Sequence, residues 1–353
     1  MKKLVFLLFI LCSISIIGYA DDSAFGGSGA APMPINFNQA EMVQEHIIIQ
    51  GHHLDTPAMY GHSDAIWDYN CNFLFKNITN KPLTFTMGFP FPVPEADAGE
   101  EFYNAPAGYS IKKNEPLVYN FKVMVNGKPT AITRKKIVQN PELGLNYKDG
   151  YIWNVAFPPS GSITTHHHYL TGVTTDAAGH TWVQYVLKTG GLWHGGKIGR
   201  ALLEVIPHTL TRLCSELDTD VEKSTYQKPA GVKIIGEGKN RKYIWDLKTW
   251  QPDADLNLCI QTASDYVRLN ILSPYIMDTK NASTELRKLS AEELRILRNS
   301  LYAQYGKPFH DPYLRKQFAK KWWYAVNPNY SDNLLTKEDK QLLAQIIKIE
   351  EHS

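Results

Sequence analysis

The run His166-His167-His168 is the place where the sequence most readily offers chemistry. Alternate side chains of an extended strand share a face, so His166 and His168 would stand together with Cβ atoms about 7 Å apart, while His167 faces the other way. Two imidazoles on one face could hold Zn2+ or Cu2+ if another strand supplied further ligands. No Asp-x-His, His-Glu-x-x-His or Cys-x-x-Cys completes such a set, and His52-His53, His180 and His194 cannot be placed from spacing alone. The competing reading is a pair of exposed histidines on a polar strand face. Three cysteines lie beyond residue 20: Cys71, Cys214 and Cys259. Cys214 and Cys259 flank the same late strand region and are the expected disulfide, with three buried thiols as the alternative. Glu95, Asp97, Glu100 and Glu101 cluster after Pro90, Pro92 and Pro94. Such a cluster is a solvated charge patch, or at most a weak calcium-attracting surface. There is no Gly-x-Ser-x-Gly elbow, phosphate-binding loop or dinucleotide fingerprint, and residue order alone pairs no triad. The sequence therefore predicts no catalytic residue and no cofactor.

Two stretches offer contact surfaces instead. Thr189 to Gly196 contains four glycines around Trp193 and His194. If exposed, the flat indole could meet a glycan or a peptide; otherwise the glycines make a tight corner and Trp193 caps the core. Further on, Arg295 and Arg298 lie one helical turn apart, followed by Lys307, Arg315, Lys316, Lys320 and Lys321. Interleaved with Tyr302, Tyr305, Trp322, Trp323 and Tyr324, they could form a basic aromatic face for an anionic envelope polymer. The alternative is a small domain whose aromatics are core and whose lysines are solubilising.

The elements that must position these residues change character along the chain. Residues 1–20 read as a secretory signal peptide, with Lys2 and Lys3, an apolar run to Ile17, and small Gly18 and Ala20 before the expected cut. Residues 21–275 read as an all-β extracytoplasmic region. Trp67, Tyr69, Cys71, Phe73 and Phe75 share one parity, and Asn80-Lys81-Pro82 is expected to turn that strand into a hairpin partner carrying Leu83, Phe85, Met87 and Phe89. Asn126-Gly127 signals another hairpin. Asn36 to Ile49 is compatible with a strand or a short helix. Many short strands with Gly, Pro and Asn punctuation predict an antiparallel β-sandwich region, one sandwich or two. After a linker at 276–289, residues 290–353 switch to helical spacing. Ser290 and Glu293 form a capping box, Asp311-Pro312 starts a second helix, and Thr336 begins a third.

The segment Leu294 to Gly306, together with Phe309, Asp311-Pro312, Phe318, Trp323-Tyr324, Pro328 and Leu334-Leu335, resembles the YARHG domain, a small bacterial extracytoplasmic module. Gln304 and Tyr305 stand where that family has Arg and His. The resemblance implies a compact helical domain with no established activity, for which association with the cell envelope has been suggested. Phe73 to Thr79, Gly88 to Pro92, His168-Tyr169 and Tyr185 to Trp193 resemble the bacterial family of unknown function numbered 4424. That resemblance covers about residues 22–270; it implies a secreted or periplasmic all-β protein and brings no catalytic residues.

The 353-residue chain carries 37 Lys and Arg against 35 Asp and Glu, so it has no long-range field to attract a phosphate backbone, and no nucleic-acid partner is expected. No segment of the mature part reaches 18 uninterrupted apolar residues, so no membrane span is expected there. The resulting expectation is a noncatalytic secreted or periplasmic protein of the bacterial envelope. Its partners would be peptidoglycan, another glycan or an envelope protein. A metal carrier or metal enzyme using His166 and His168, and an assembly or surface component, are the rival readings.

Overall fold

In the computed structural model the described residues are 29–30, 33–35, 39–55, 64–91, 104–112, 115–136, 149–176, 179–217, 226–276 and 281–352. The expected leader, residues 1–20, and the acidic cluster from Glu95 to Glu101 lie outside them. The principal strands are β1 (Ala40–His52), β2 (Ile66–Asn77), β3 (Leu83–Phe91), β4 (Tyr119–Val125), β5 (Asp149–Phe157) and β6 (Ser162–Gly172). They continue with β7 (Thr181–Val186), β8 (Ile198–Ile206), β9 (Thr211–Leu213), β10 (Lys242–Trp250) and β11 (Leu256–Thr262).

An eight-stranded sheet has the order 233–235, β10, β8, β1, β2, β6, β4, 128–129. A second sheet is built on β7, β11 and β9, and a third on β3 and β5. Pairing is antiparallel except for β8 with β1 and for the short strand 29–30 with β7. On the large sheet's inner face Tyr69 stacks on Tyr169 at 4.6 Å and meets Tyr185 of the second sheet at 6.3 Å. Phe89 of the third sheet lies 4.4 Å from Phe121 and 5.3 Å from Tyr169. One broad sheet thus packs against two smaller ones, giving a single sandwich whose second layer is split.

The alternation from Trp67 to Phe75 is buried on the odd side throughout β2. The expected hairpin between β2 and β3 does not form: β2 pairs with β1 and β6, and β3 pairs with β5 in another sheet. The buried Asn77 explains this. Its Nδ2 donates to the carbonyls of Lys81 (2.7 Å) and Pro158 (2.9 Å), and its Oδ1 accepts from the Thr79 amide at 2.9 Å. These bonds turn the chain from one layer to the other instead of back along β2. Asn126 and Gly127 do close a hairpin, at φ 49° and 73°, pairing Met124 with Pro129.

Strand β1 resolves the ambiguous stretch before Ile49. Its register with β2 slips between Met42 and Gln44. Ala40 and Met42 face inward before the slip; Glu45, Ile47 and Ile49 do so after it. An extra residue, Val43, breaks the period of two, as a β-bulge does. Gly199 on β8 accommodates it, since a Cβ there would sit 2.4 Å from the Val43 carbonyl oxygen.

The helical part has its own core. It starts with α1 (Ala263–Val267), which passes into a π-helical turn at Arg268–Leu272 and then Ser273–Ile276. A short helix, Ala282–Leu286, precedes α2 (Ala291–Ala303), α3 (Pro312–Phe318) and α4 (Lys337–Glu350). Capping follows the residue types: Ser290 with Glu293, Asp311 ahead of Pro312, and Thr336 with Asp339. Leu297 and Leu301 of α2, Phe318 of α3 and Ile346 of α4 meet Val267 and Leu272 in one core. The expected linker differs from what is found. Ala282 and Leu286 are fully buried, and the helical core already begins at Ala263. Among the described residues no helix is long and apolar enough to cross a membrane.

Candidate functional site

Strand β11 runs into α1 with no intervening residue. Thr262 caps α1 by accepting from the Asp265 amide at 3.1 Å, and its hydroxyl donates to Asp265 Oδ2 at 2.8 Å. The π-helical turn that follows sends Arg268 into the helical core, where it is 1 % exposed. Such turns inside α-helices recur at functional sites. Arg268 Nη2 donates to Asp339 Oδ2 at 2.8 Å and to the Tyr305 hydroxyl at 2.9 Å. Tyr305 passes its own proton toward Asp339 Oδ2 at 2.7 Å, and Gln304 Nε2 donates to Asp339 Oδ1 at 3.3 Å. Asp339 also accepts from the Thr336 amide at 2.9 Å, so the carboxylate that caps α4 also answers a buried guanidinium. Burial, first, and the Asp339 carboxylate hold the Tyr305 hydroxyl well above its ordinary pKa, and it stays protonated.

Gln304, Tyr305 and Thr336 of this network line a cleft of about 290 Å3 between the sandwich and the helical part, while Arg268 and Asp339 themselves are buried. Asp55, Thr209, Leu210 and Lys239 line it from the sandwich side, and Ala263 and Ser264 from the start of α1. Gln304 and Tyr305 face it from the end of α2, with Trp323, Asn327 and Thr336 completing the far wall. Gly306 has φ 81°, and a Cβ there would lie 2.5 Å from the Ala325 carbonyl oxygen. Only glycine lets the chain leave α2 this close to the 325–327 segment. One carboxylate, Asp55, and one ammonium, Lys239, meet this space together with the side-chain amides of Gln304 and Asn327, the hydroxyls of Thr209, Ser264, Tyr305 and Thr336, and the Trp323 indole.

The two strands that feed the cleft are bonded to each other. Cys214, directly after β9, forms a disulfide with Cys259 of β11 across 45 residues. Thr209 and Leu210 immediately precede β9, and Ala263 and Ser264 immediately follow β11. The Ala263 amide donates to the Leu210 carbonyl at 2.9 Å. Cys71 is a free, buried thiol whose pKa burial pushes well up.

The residues singled out from sequence scatter. His166 and His168 lie on the outer face of β6, and His168 Nε2 is 3.2 Å from Asp68 Oδ1. Among the described residues no third ligand joins them; the group of three metal-capable side chains is His180, Cys214 and Cys259. Trp193 is 2 % exposed, 4.4 Å from Phe75 and 5.9 Å from Phe85, so it fills the sandwich core and is not a ligand contact. His194 is exposed on the glycine turn behind it. Arg295 is paired with Asp311 at 2.8 Å and Arg298 with Glu350 at 3.3 Å, so neither stands ready for an anionic polymer. Tyr302 lies under Lys307 Nζ, 3.9 Å from the ring centroid. Trp322 rests 5.1 Å from Tyr266 with the Arg212 guanidinium 5.6 Å from its ring. Of the residues singled out from sequence, Tyr305 and Trp323 reach the cleft.

A second set of polar groups is sealed inside the sandwich. The bulge brings Glu45 inward, fully buried, with neither carboxylate oxygen bonded among the described residues. Burial raises its pKa to about 8. On β6, His167 sits 5.0 Å from both Phe73 and Trp153 with both ring nitrogens unbonded among the described residues, and burial lowers its pKa to about 3.

The fold and cleft define a class: a β-sandwich fused to a small helical module, with a polar pocket where the two meet. The YARHG domain matches residues 270–351, and the domain of unknown function numbered 4424 matches residues 69–144. A crystal structure of a candidate nutrient-binding protein from Legionella pneumophila is 45 % identical, covers 92 % of this chain and 99 % of its own, and has a TM-score of 0.81. The chain belongs to the family of that Legionella protein. The M1 zinc metallopeptidase of Deinococcus radiodurans is 6 % identical over 65 % of this chain and 43 % of its own; its TM-score of 0.30 carries no argument. No functionally curated protein matches the chain.

Proposed function

We propose that the protein is a noncatalytic, extracytoplasmic binding protein that holds a small polar solute in the cleft between sandwich and helical module. The observation that carries this reading is the cleft itself. Tyr305, held by the buried Arg268–Asp339 pair, and Gln304 line it, and its rim carries Asp55 and Lys239. A rim of opposite charges suits a solute with both a cationic and an anionic group, and a volume of about 290 Å3 admits one of amino-acid or monosaccharide size. The Legionella relative is described as a nutrient-binding protein, which points the same way. Placement outside the cytoplasm is supported by the leader-like residues 1–20, the Cys214–Cys259 disulfide and the YARHG module. Retention on envelope polymer through the helical module finds less support, because Arg295 and Arg298 are already paired.

The test is calorimetric titration of the mature protein with amino acids, short peptides and monosaccharides, beside an Ala325→Trp variant that fills the cleft. Binding by the wild type and at least a tenfold loss in the folded variant are expected. Unchanged affinity in the folded variant, or no binding from any of the three solute classes, overturns the reading.

A further inference from the structure

We propose that, when the Cys214–Cys259 bond is reduced, the two thiolates and His180 form a binding site for Zn2+. A ring nitrogen of His180 and both sulfurs lie within 4.8 Å of one another. Around a tetrahedral zinc ion such ligand atoms stand about 3.5–3.8 Å apart, so rotation of three side chains closes the set. The imidazole is held in place by Asp176. Its Nδ1 lies 3.1 Å from Asp176 Oδ2, which also accepts from Trp182 Nε1 at 2.9 Å, and Asp176 Oδ1 accepts from the His180 amide at 3.0 Å. A proton held on Nδ1 by that carboxylate leaves Nε2 as the lone-pair nitrogen, the arrangement found behind metal-binding histidines.

Both sulfurs are fully buried, whereas the His180 side chain is 16 % exposed, so the ion would enter past the imidazole edge. Two sulfurs and one nitrogen leave the fourth tetrahedral position for water. The steps balance. A dithiol reductant gives two electrons and two protons to the disulfide and becomes a disulfide itself. Zn2+ then displaces the two thiol protons as two Zn–S bonds form, and His180 adds its lone pair without losing a proton. The bonded and metal-bound forms exclude each other, because each uses the same sulfurs.

The experiment uses the mature protein in oxidised and dithiol-reduced forms, freed of reductant and titrated with Zn2+ against a chromophoric chelator. One Zn2+ per reduced chain and none per oxidised chain are expected. His180→Ala and Asp176→Asn, checked by circular dichroism for an unchanged fold, should each bind at least tenfold more weakly. Co2+ in place of Zn2+ should give thiolate charge-transfer bands only in the reduced form. Equal uptake by the oxidised chain, no uptake by a folded reduced chain, or wild-type affinity in His180→Ala overturns the proposal. A reduced chain that unfolds and is not restored by Zn2+ overturns it as well, since the site needs a folded dithiol.

Discussion

Replacing Glu45 by Gln should change how stability depends on pH, in a direction and amount the structure dictates. Glu45 is fully buried without a partner among the described residues, and its pKa rises from 4.5 to about 8. Between those values the folded protein holds a proton that the unfolded chain has released, so stability falls as pH rises through this window. At 1.36 kcal/mol per unit, the full loss by pH 8 is about 5 kcal/mol, with about 3 kcal/mol of it already gone at pH 7. That is a large part of the roughly 5–15 kcal/mol that holds a domain folded. His167 acts in the opposite sense. Its pKa falls from 6.5 to about 3, so its contribution is complete above 6.5 and is lost as pH drops toward 3. The two slopes cancel between 4.5 and 6.5, which predicts a plateau there with losses on both sides. Urea titrations of wild type and Glu45→Gln from pH 4.5 to 9 supply the measurement. The difference between the two proteins should grow by about 5 kcal/mol across the range, with the variant gaining. A difference that does not vary with pH would show that Glu45 is solvated or paired and would refute the reasoning.

Asp339→Ala should cost about 3–5 kcal/mol in chemical denaturation, because it removes the carboxylate from a fully buried guanidinium. Adding Arg268→Met to that variant should recover much of the loss, since no buried charge then remains. Cys214→Ser with Cys259→Ser should lower stability by about 4 kcal/mol, the chain-entropy value for a 45-residue separation, read from the urea midpoint. Gly199→Ala should cost about 2 kcal/mol or more in thermal melts, as its Cβ would press on the Val43 carbonyl oxygen, a backbone atom with little room to yield.

Much of the architecture could be read from residue types. The parity from Trp67 to Phe75, the Asn126-Gly127 turn and the capping pairs at Ser290 and Thr336 are local signals, and local geometry realises them. The pairing of β2 with β1 and β6 was not readable, because Asn77 acts through carbonyls as far away as Pro158. In β1 a single inserted residue hides the period of two. The cleft was beyond reach for a similar reason: its walls come from residues as distant as Asp55, Lys239 and Asn327. Arg268 left a trace, as a lone charge among Val267, Leu269 and Leu272 in a segment otherwise suited to a core. Asp339 left none, since its place in a capping box accounts for it fully. Trp193 shows the converse, a conspicuous aromatic in a glycine-rich loop whose role is packing.

The bond between Cys214 and Cys259 ties together two strands whose extensions, themselves joined by the Ala263–Leu210 hydrogen bond, both line the cleft. If the cleft holds a solute as proposed, that solute and an electron donor that opens the disulfide act on one equilibrium. Whatever factor separates solute affinity in the oxidised and reduced chains must reappear as a displacement of the redox midpoint, about 30 mV for each tenfold. A solute that binds the oxidised chain more tightly than the reduced one lowers the midpoint, so the disulfide becomes harder to reduce.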